Sequence, residues 1–153
     1  MVVQCFNCAY EARGDFPVRE SLWRSGEWRV ALAFNSSLEG WAVVIPRRHL
    51  ESLDELSDEE SSTLGVLLRD LTGALKAVTG CAKTYVMMLA EMPGFNHVHF
   101  HVVPRMEDLP DERRGTKVFA YLQEDPLGDE ERDDIARRIR AELTQRGATG
   151  AAN

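Results

Sequence analysis

Long hydrophobic runs are missing from this 153-residue chain: the longest uninterrupted apolar stretch is the six residues Tyr85 to Ala90. A helix needs about 20 such residues to cross a bilayer, so no membrane partner is expected. Cysteine is scarce as well. Three residues are an odd number and too few for a disulfide framework, so free thiols or metal ligands in a reducing compartment are expected. Positive charge is in deficit, 18 Lys and Arg against 25 Asp and Glu, for a formal net charge of −7. That balance argues against a nucleic acid polymer as partner, which requires clustered basic residues, and leaves a small anionic substrate open. Met1-Val2-Val3-Gln4-Cys5 has no basic flank leading into an apolar stretch, so no secretory signal is expected and a cytoplasmic location follows. What is present is an ordinary globular composition, 44% hydrophobic and 28% charged, enough for a packed core. A single domain over residues 1–146 and a flexible tail over 147–153 are expected.

Trp28, Val30, Leu32 and Phe34 alternate with period two, and the β-branched run Trp41 to Ile45 ends at Pro46; the two runs predict a hairpin. Ser57 and Glu60 have capping-box spacing. Leu64, Leu67, Leu68, Leu71, Leu75 and Val78 then recur every three or four residues before Gly80, which predicts a long helix with one buried face. Gly65 and Gly73 inside it imply close packing or a tolerated weakness. Tyr85–Ala90 and His97–Val103 read as a second hairpin around Pro93-Gly94. Residues 105–117 read as a surface loop, Val118–Leu122 as a late edge strand, and Asp129–Leu143 as an amphipathic terminal helix. This order predicts an α+β fold, an antiparallel sheet of about five strands with one long and one C-terminal helix.

All four histidines lie between positions 49 and 101. In His97-Val98-His99-Phe100-His101-Val102-Val103, imidazoles alternate with apolar side chains. On a strand they would share one face, about 7 Å apart. Three polar rings on one sheet face are a burial problem that a structural role alone would seldom produce. Two chemistries suit the row. An imidazole can attack a phosphorus centre when one ring nitrogen is held by a hydrogen bond and the other keeps its lone pair, with neighbouring rings binding phosphate oxygens or moving protons. Alternatively, the rings can coordinate a metal. Cys5-Phe6-Asn7-Cys8 adds a CxxC pair, readable as half a zinc site, a redox pair or two incidental thiols. Cys81 reads as a small buried hydrophobe, and Trp23, Trp28 and Trp41 as packing residues. The acidic stretch Glu51–Glu60 reads as a solvated turn and helix start. Arg47, Arg48, Arg105, Arg113 and Arg114 offer local positive charge.

The run from His97 to Val103 resembles the signature of the histidine triad (HIT) family, and Ile45-Pro46-Arg47-Arg48-His49 is similar to the segment before that family's long helix. The likeness covers roughly residues 5 to 105. It implies a HIT-like fold and a nucleotide phosphohydrolase. His99 would attack the α-phosphate of an adenine or other purine nucleotide derivative, forming a nucleotidyl-histidine intermediate that water hydrolyses. His97 and His101 would assist. His101, where related nucleotidylyltransferases have glutamine, and Val98 and Phe100, where they have prolines, favour hydrolysis over transfer. Asn35 falls where the family binds ribose hydroxyls; His101, Asn96 and Glu91 are further substrate-binding candidates. Some members with the N-terminal pair bind a structural zinc, and the corresponding positions are Cys5, Cys8, His49 and His97. On that assignment His97 is a ligand, which competes with a catalytic role. The family also implies a homodimer. The alternatives are a zinc-dependent hydrolase with the triad as metal ligands, and a non-catalytic nucleotide-binding module.

Overall fold

The computed structural model describes residues 5–150. Its sheet is built outward from the hairpin that the alternating apolar pattern encodes. Strands β2 (Trp28–Leu32) and β3 (Ala42–Pro46) pair antiparallel, Val30 opposite Val44. Strand β1 (Trp23–Arg24) adds to the free side of β2, while β5 (Phe100–Arg105) pairs with β3 and β4 (Lys83–Met88) with β5. The result is a five-stranded antiparallel sheet in the order β1-β2-β3-β5-β4, as expected from the sequence.

One face of the sheet carries the main core. Helix α2 (Asp58–Thr79) and helix α3 (Asp129–Gln145) pack there, with Leu64, Leu67, Leu71 and Leu75 buried from α2 and Ile135, Ile139 and Leu143 from α3. Each large aliphatic side chain removed from water in this way stabilises the fold by roughly 1.5–3 kcal/mol. The capping box is formed: the Ser57 hydroxyl accepts from the Glu60 amide at 3.1 Å and the Glu60 carboxylate accepts from the Ser57 amide at 2.8 Å. Arg48 also donates to Glu60 and holds its carboxyl at about 2, well below the usual range. Gly80 ends α2 at φ 70°, a left-handed conformation that glycine adopts without cost. A methyl group on Gly73 would meet the Arg146 guanidinium at 2.6 Å, whereas Gly65 faces open space; one glycine is a close approach and the other a tolerated weakness.

Three expectations are corrected. The second hairpin begins earlier, at Lys83, because its register is set by β5, Lys83 opposite Arg105 and Met88 opposite Phe100; Ala90, at φ 50°, lies beyond it. His97 and His99 precede β5, where the Val98 amide donates to the Leu50 carbonyl at 2.7 Å, so of the three histidines His101 alone lies on the strand, while Val98, Phe100 and Val102 enter the core as expected. Val118–Leu122 belongs to a 3-10 segment, Gly115–Gln123, and is not a strand. Val118 and Phe119 from this segment pack on Trp41 and Val103, closing a smaller core on the second sheet face. At the C-terminus, the Thr149 carbonyl accepts from the Trp23 indole at 3.2 Å and Ala148 packs against the core; residues 151–153 of the expected tail, and residues 1–4, lie outside the described range.

A short helix that periodicity did not reveal, α1 (Phe6–Glu11), carries Cys8 and is capped by Cys5, whose thiol accepts from the Cys8 amide. Glu11 at its end receives Arg24, Arg29 and Arg47 from β1, β2 and the segment after β3. Burial raises the Glu11 carboxyl, but hydrogen bonds from Arg47 and Arg29 outweigh it and hold the group below its usual range. Arg29 is 1% exposed, so that carboxylate balances a buried charge. Glu11→Gln is expected to cost about 3 kcal/mol, the range for breaking a buried ion pair from one side, read as a lower midpoint in urea unfolding at unchanged slope.

Candidate active site and metal centre

Four donor atoms converge where α1 meets the sheet. The Cys5 thiol lies 3.4 Å from His97 Nδ1, and the Cys8 thiol lies 3.5 Å from His97 Nδ1 and 3.3 Å from His49 Nδ1. All four ligand atoms fall within 4.8 Å of one another. A tetrahedral zinc bound to sulfur at about 2.3 Å and nitrogen at about 2.0–2.1 Å spaces its ligands by about 3.5 Å, so the donor set fits the ion. The far nitrogens are engaged as metal-bound imidazoles require: His97 Nε2–H donates to the Pro46 carbonyl at 2.9 Å and His49 Nε2 meets the Glu51 carboxylate at 3.3 Å. Burial and the adjacent Cys5 push the Cys8 thiol up to about 11. A divalent cation is the partner that reverses that penalty.

The other two histidines sit beside this centre and belong to different partners. His99 Nδ1 donates to the His97 carbonyl at 2.7 Å, which leaves Nε2 of the neutral ring with its lone pair. His99 is half-buried. His101 lies on β5, opposite Val43 and Met87, with its ring centroid 4.9 Å from that of His99. Its Nδ1 accepts from the Trp41 indole at 3.1 Å, and Phe119 meets it edge-on. Burial, with His99 adding to it, lowers His101 to about 4. His97, by contrast, is 1% exposed with both nitrogens occupied.

Asn35 is half-buried just after Phe34, and Phe34 stacks on Phe95, two residues before His97. Phe6 of α1 joins the same cluster at 4.9 Å from Phe95, and both Phe6 and Phe34 are exposed. Asn96 and Glu91 are exposed in the β4–β5 connection. Among the described residues, Glu91 makes no hydrogen bond or ion pair with a histidine. The arginines expected to lend positive charge are all matched to carboxylates: Arg47 to Glu11, Arg48 to Glu60, Arg105 to Glu107, Arg113 to Glu124 and Arg114 to Asp111. Sequence reasoning missed the roles of Trp41, Glu51 and α1. Glu51 had a signal, two residues after His49; Trp41 had none, because 60 residues separate it from His101.

This chain sets a pair of imidazoles beside a cluster of two thiols and two further imidazoles, on a five-stranded antiparallel sheet. It belongs to the HIT domain family, nucleotide-binding hydrolases and transferases, whose sequence profile matches residues 22–108. It is 29% identical over 119 residues to the adenosine 5′-monophosphoramidase hnt1 of Schizosaccharomyces pombe, covering 76% of this chain and 82% of that protein. It is 31% identical over 78 residues to an uncharacterized HIT-like protein of Methanocaldococcus jannaschii, covering 50% of this chain and 60% of the relative. Among solved structures, a histidine triad nucleotide-binding protein of Sulfolobus tokodaii superimposes with a TM-score of 0.72 at 18% identity, over 92% of this chain and 93% of that one. A zinc-bound histidine triad protein of Mycobacterium smegmatis superimposes with a TM-score of 0.66 at 22% identity, over 94% and 95%.

Proposed function

We propose that the chain is a nucleotide hydrolase that cleaves at the α-phosphate through a covalent nucleotidyl-histidine on His99. The observation that carries this reading is the 2.7 Å bond from His99 Nδ1 to the His97 carbonyl. It commits the ring to the tautomer whose Nε2 can attack phosphorus. The linkage cleaved is a phosphoramidate, an acyl-adenylate or a dinucleoside polyphosphate. The exposed Phe6 and Phe34 rings, with the half-buried Phe95 between them, offer a surface on which a purine can stack, with Asn35 beside it for the ribose hydroxyls and Asn96 and Glu91 at its margin.

Cys5, Cys8, His49 and His97 hold a structural zinc on this reading, which cross-links α1 to the sheet. His97 is then a ligand and not a proton carrier. The rival assignment of all three triad histidines to a catalytic metal is disfavoured, because His97 turns Nδ1 to two thiols and His101 Nδ1 accepts from an indole, which puts the proton of that ring on Nε2. Thiolate ligands suit a reducing cytoplasm. Quenched turnover should yield an acid-labile protein adduct of one nucleoside monophosphate, absent from His99→Ala. Tight nucleotide binding with no adduct and no turnover would instead identify a binding module.

A homodimer through β4 is the second part of the reading. Among the described residues this strand pairs only with β5, and Val86 on it is exposed; an open apolar edge invites pairing with a second copy. Sedimentation should give twice the chain mass, and Val86→Lys should shift it to the chain mass; a wild-type monomer at micromolar concentration overturns this.

A further inference from the structure

His101 has one partner that decides its chemistry. An indole nitrogen can only donate, and Trp41 Nε1–H points at His101 Nδ1 over 3.1 Å. Nδ1 must therefore present a lone pair, and the single proton of the ring sits on Nε2. A second proton on Nδ1 would set N–H against N–H inside a pocket where Trp41 is 1% exposed. The groups packed on the ring offer no compensation: Trp41 and Phe119 meet it edge-on, Val43 and Met87 flank it across the sheet, and the neighbouring titratable group is His99. Among the described residues the histidine paired with a carboxylate is His49, not His101. The lowered proton affinity of His101 agrees with this geometry.

We propose that Trp41 is a positioning residue that keeps His101 a neutral Nε2–H hydrogen-bond donor, so that the site selects nucleotidyl linkages whose leaving group departs as an anion. The preferred substrates are then phosphoric anhydrides, either mixed with a carboxylic acid or within a polyphosphate chain, over phosphoramidates. This rests on His99 as nucleophile and narrows its substrate class. In the favoured step, His99 Nε2 forms a bond to the α-phosphorus while the bond from phosphorus to the bridging oxygen breaks. The electron pair leaves on the carboxylate or phosphate, which needs no proton. Water then attacks phosphorus, the nitrogen–phosphorus bond breaks back to the imidazole, and the proton of the water passes to solvent. A phosphoramidate nitrogen must gain a proton to leave, and a neutral imidazole has none to give at this pH.

The test compares an acyl-adenylate with adenosine 5′-phosphoramidate at neutral pH, using His99→Ala as the blank for spontaneous hydrolysis. Wild-type protein should favour the anhydride in kcat/KM by on the order of 100-fold, the lower part of what general acid catalysis contributes. Trp41→His, which replaces a donor-only ring by one that can accept a proton, should narrow that ratio by about tenfold or more, in kcat and not in KM. Nitrogen-15 NMR of histidine-labelled wild-type protein reads the tautomer without any variant, and should show His101 as neutral Nε2–H from about pH 5.5 to 8. An imidazolium or an Nδ1–H tautomer in that range, or a wild-type preference for the phosphoramidate, overturns the proposal. Absence of turnover on both substrates, with the tautomer as expected, overturns the hydrolase reading and upholds the role of Trp41.

Discussion

His99→Ala is expected to lower kcat by at least about a thousandfold on every substrate the chain hydrolyses, since removing a nucleophile deletes the covalent route and leaves only binding and electrostatic assistance. Nucleotide affinity should change little, because the proposed base and ribose contacts come from Phe6, Phe34, Phe95 and Asn35. The fold should also survive: His99 is half-buried and, among the described residues, its side chain hydrogen-bonds only to the His97 carbonyl. Pre-steady-state kinetics and calorimetric titration with a nucleoside monophosphate separate these effects. A variant that still turns over at a tenth of the wild-type rate or more would rule out His99 as the attacking group.

Stripping the metal is expected to lower the melting temperature by about 10 °C. Free zinc at about a thousand times its dissociation constant stabilises a folded chain by about 4 kcal/mol, and a chain of this size shifts by about 3 °C for each kcal/mol. The geometric basis is the set of 3.3–3.5 Å separations among Cys5, Cys8, His49 and His97 together with the engaged far nitrogens of both imidazoles. Metal analysis should find one zinc per chain, and Cys8→Ser should lose it along with the thermal gain from added zinc. Purified protein that contains no zinc, and whose melting temperature zinc does not move, would remove the site. Because His99 and His101 stand outside the cluster, a metal-free chain that stays folded should still form the covalent adduct. Loss of the adduct under those conditions would point back to a catalytic metal.

Much of this molecule is legible without coordinates. The capping box at Ser57 and Glu60, the leucine stripe of α2 and the stop at Gly80 are local features, encoded within a few residues, and each appears where the sequence predicts it. The alternating pattern of β2 and the β-branched run of β3 give the first hairpin for the same reason. The failures share a cause. Val118–Leu122 has the composition of a strand, but it lies against the second sheet face, where its apolar side chains pack on Trp41 and Val103 from a 3-10 segment. The ends of β4 follow its pairing with β5 and not its own apolar run. Arginines that look free in the sequence meet carboxylates brought in by folding.

The sequence by itself determined the chemistry available: three imidazoles at alternate positions, a fourth after a basic pair, two thiols three residues apart, and an acidic surface. Only the tertiary structure divided that row of histidines. His97 turns to two thiols 89 and 92 residues away, His99 to the carbonyl of His97, and His101 to an indole 60 residues away. Which nitrogen of an imidazole carries its proton depends on what faces the other nitrogen. Those facing groups arrive through strand register and helix docking, so identical residue types at even spacing acquire different roles only once the chain has folded.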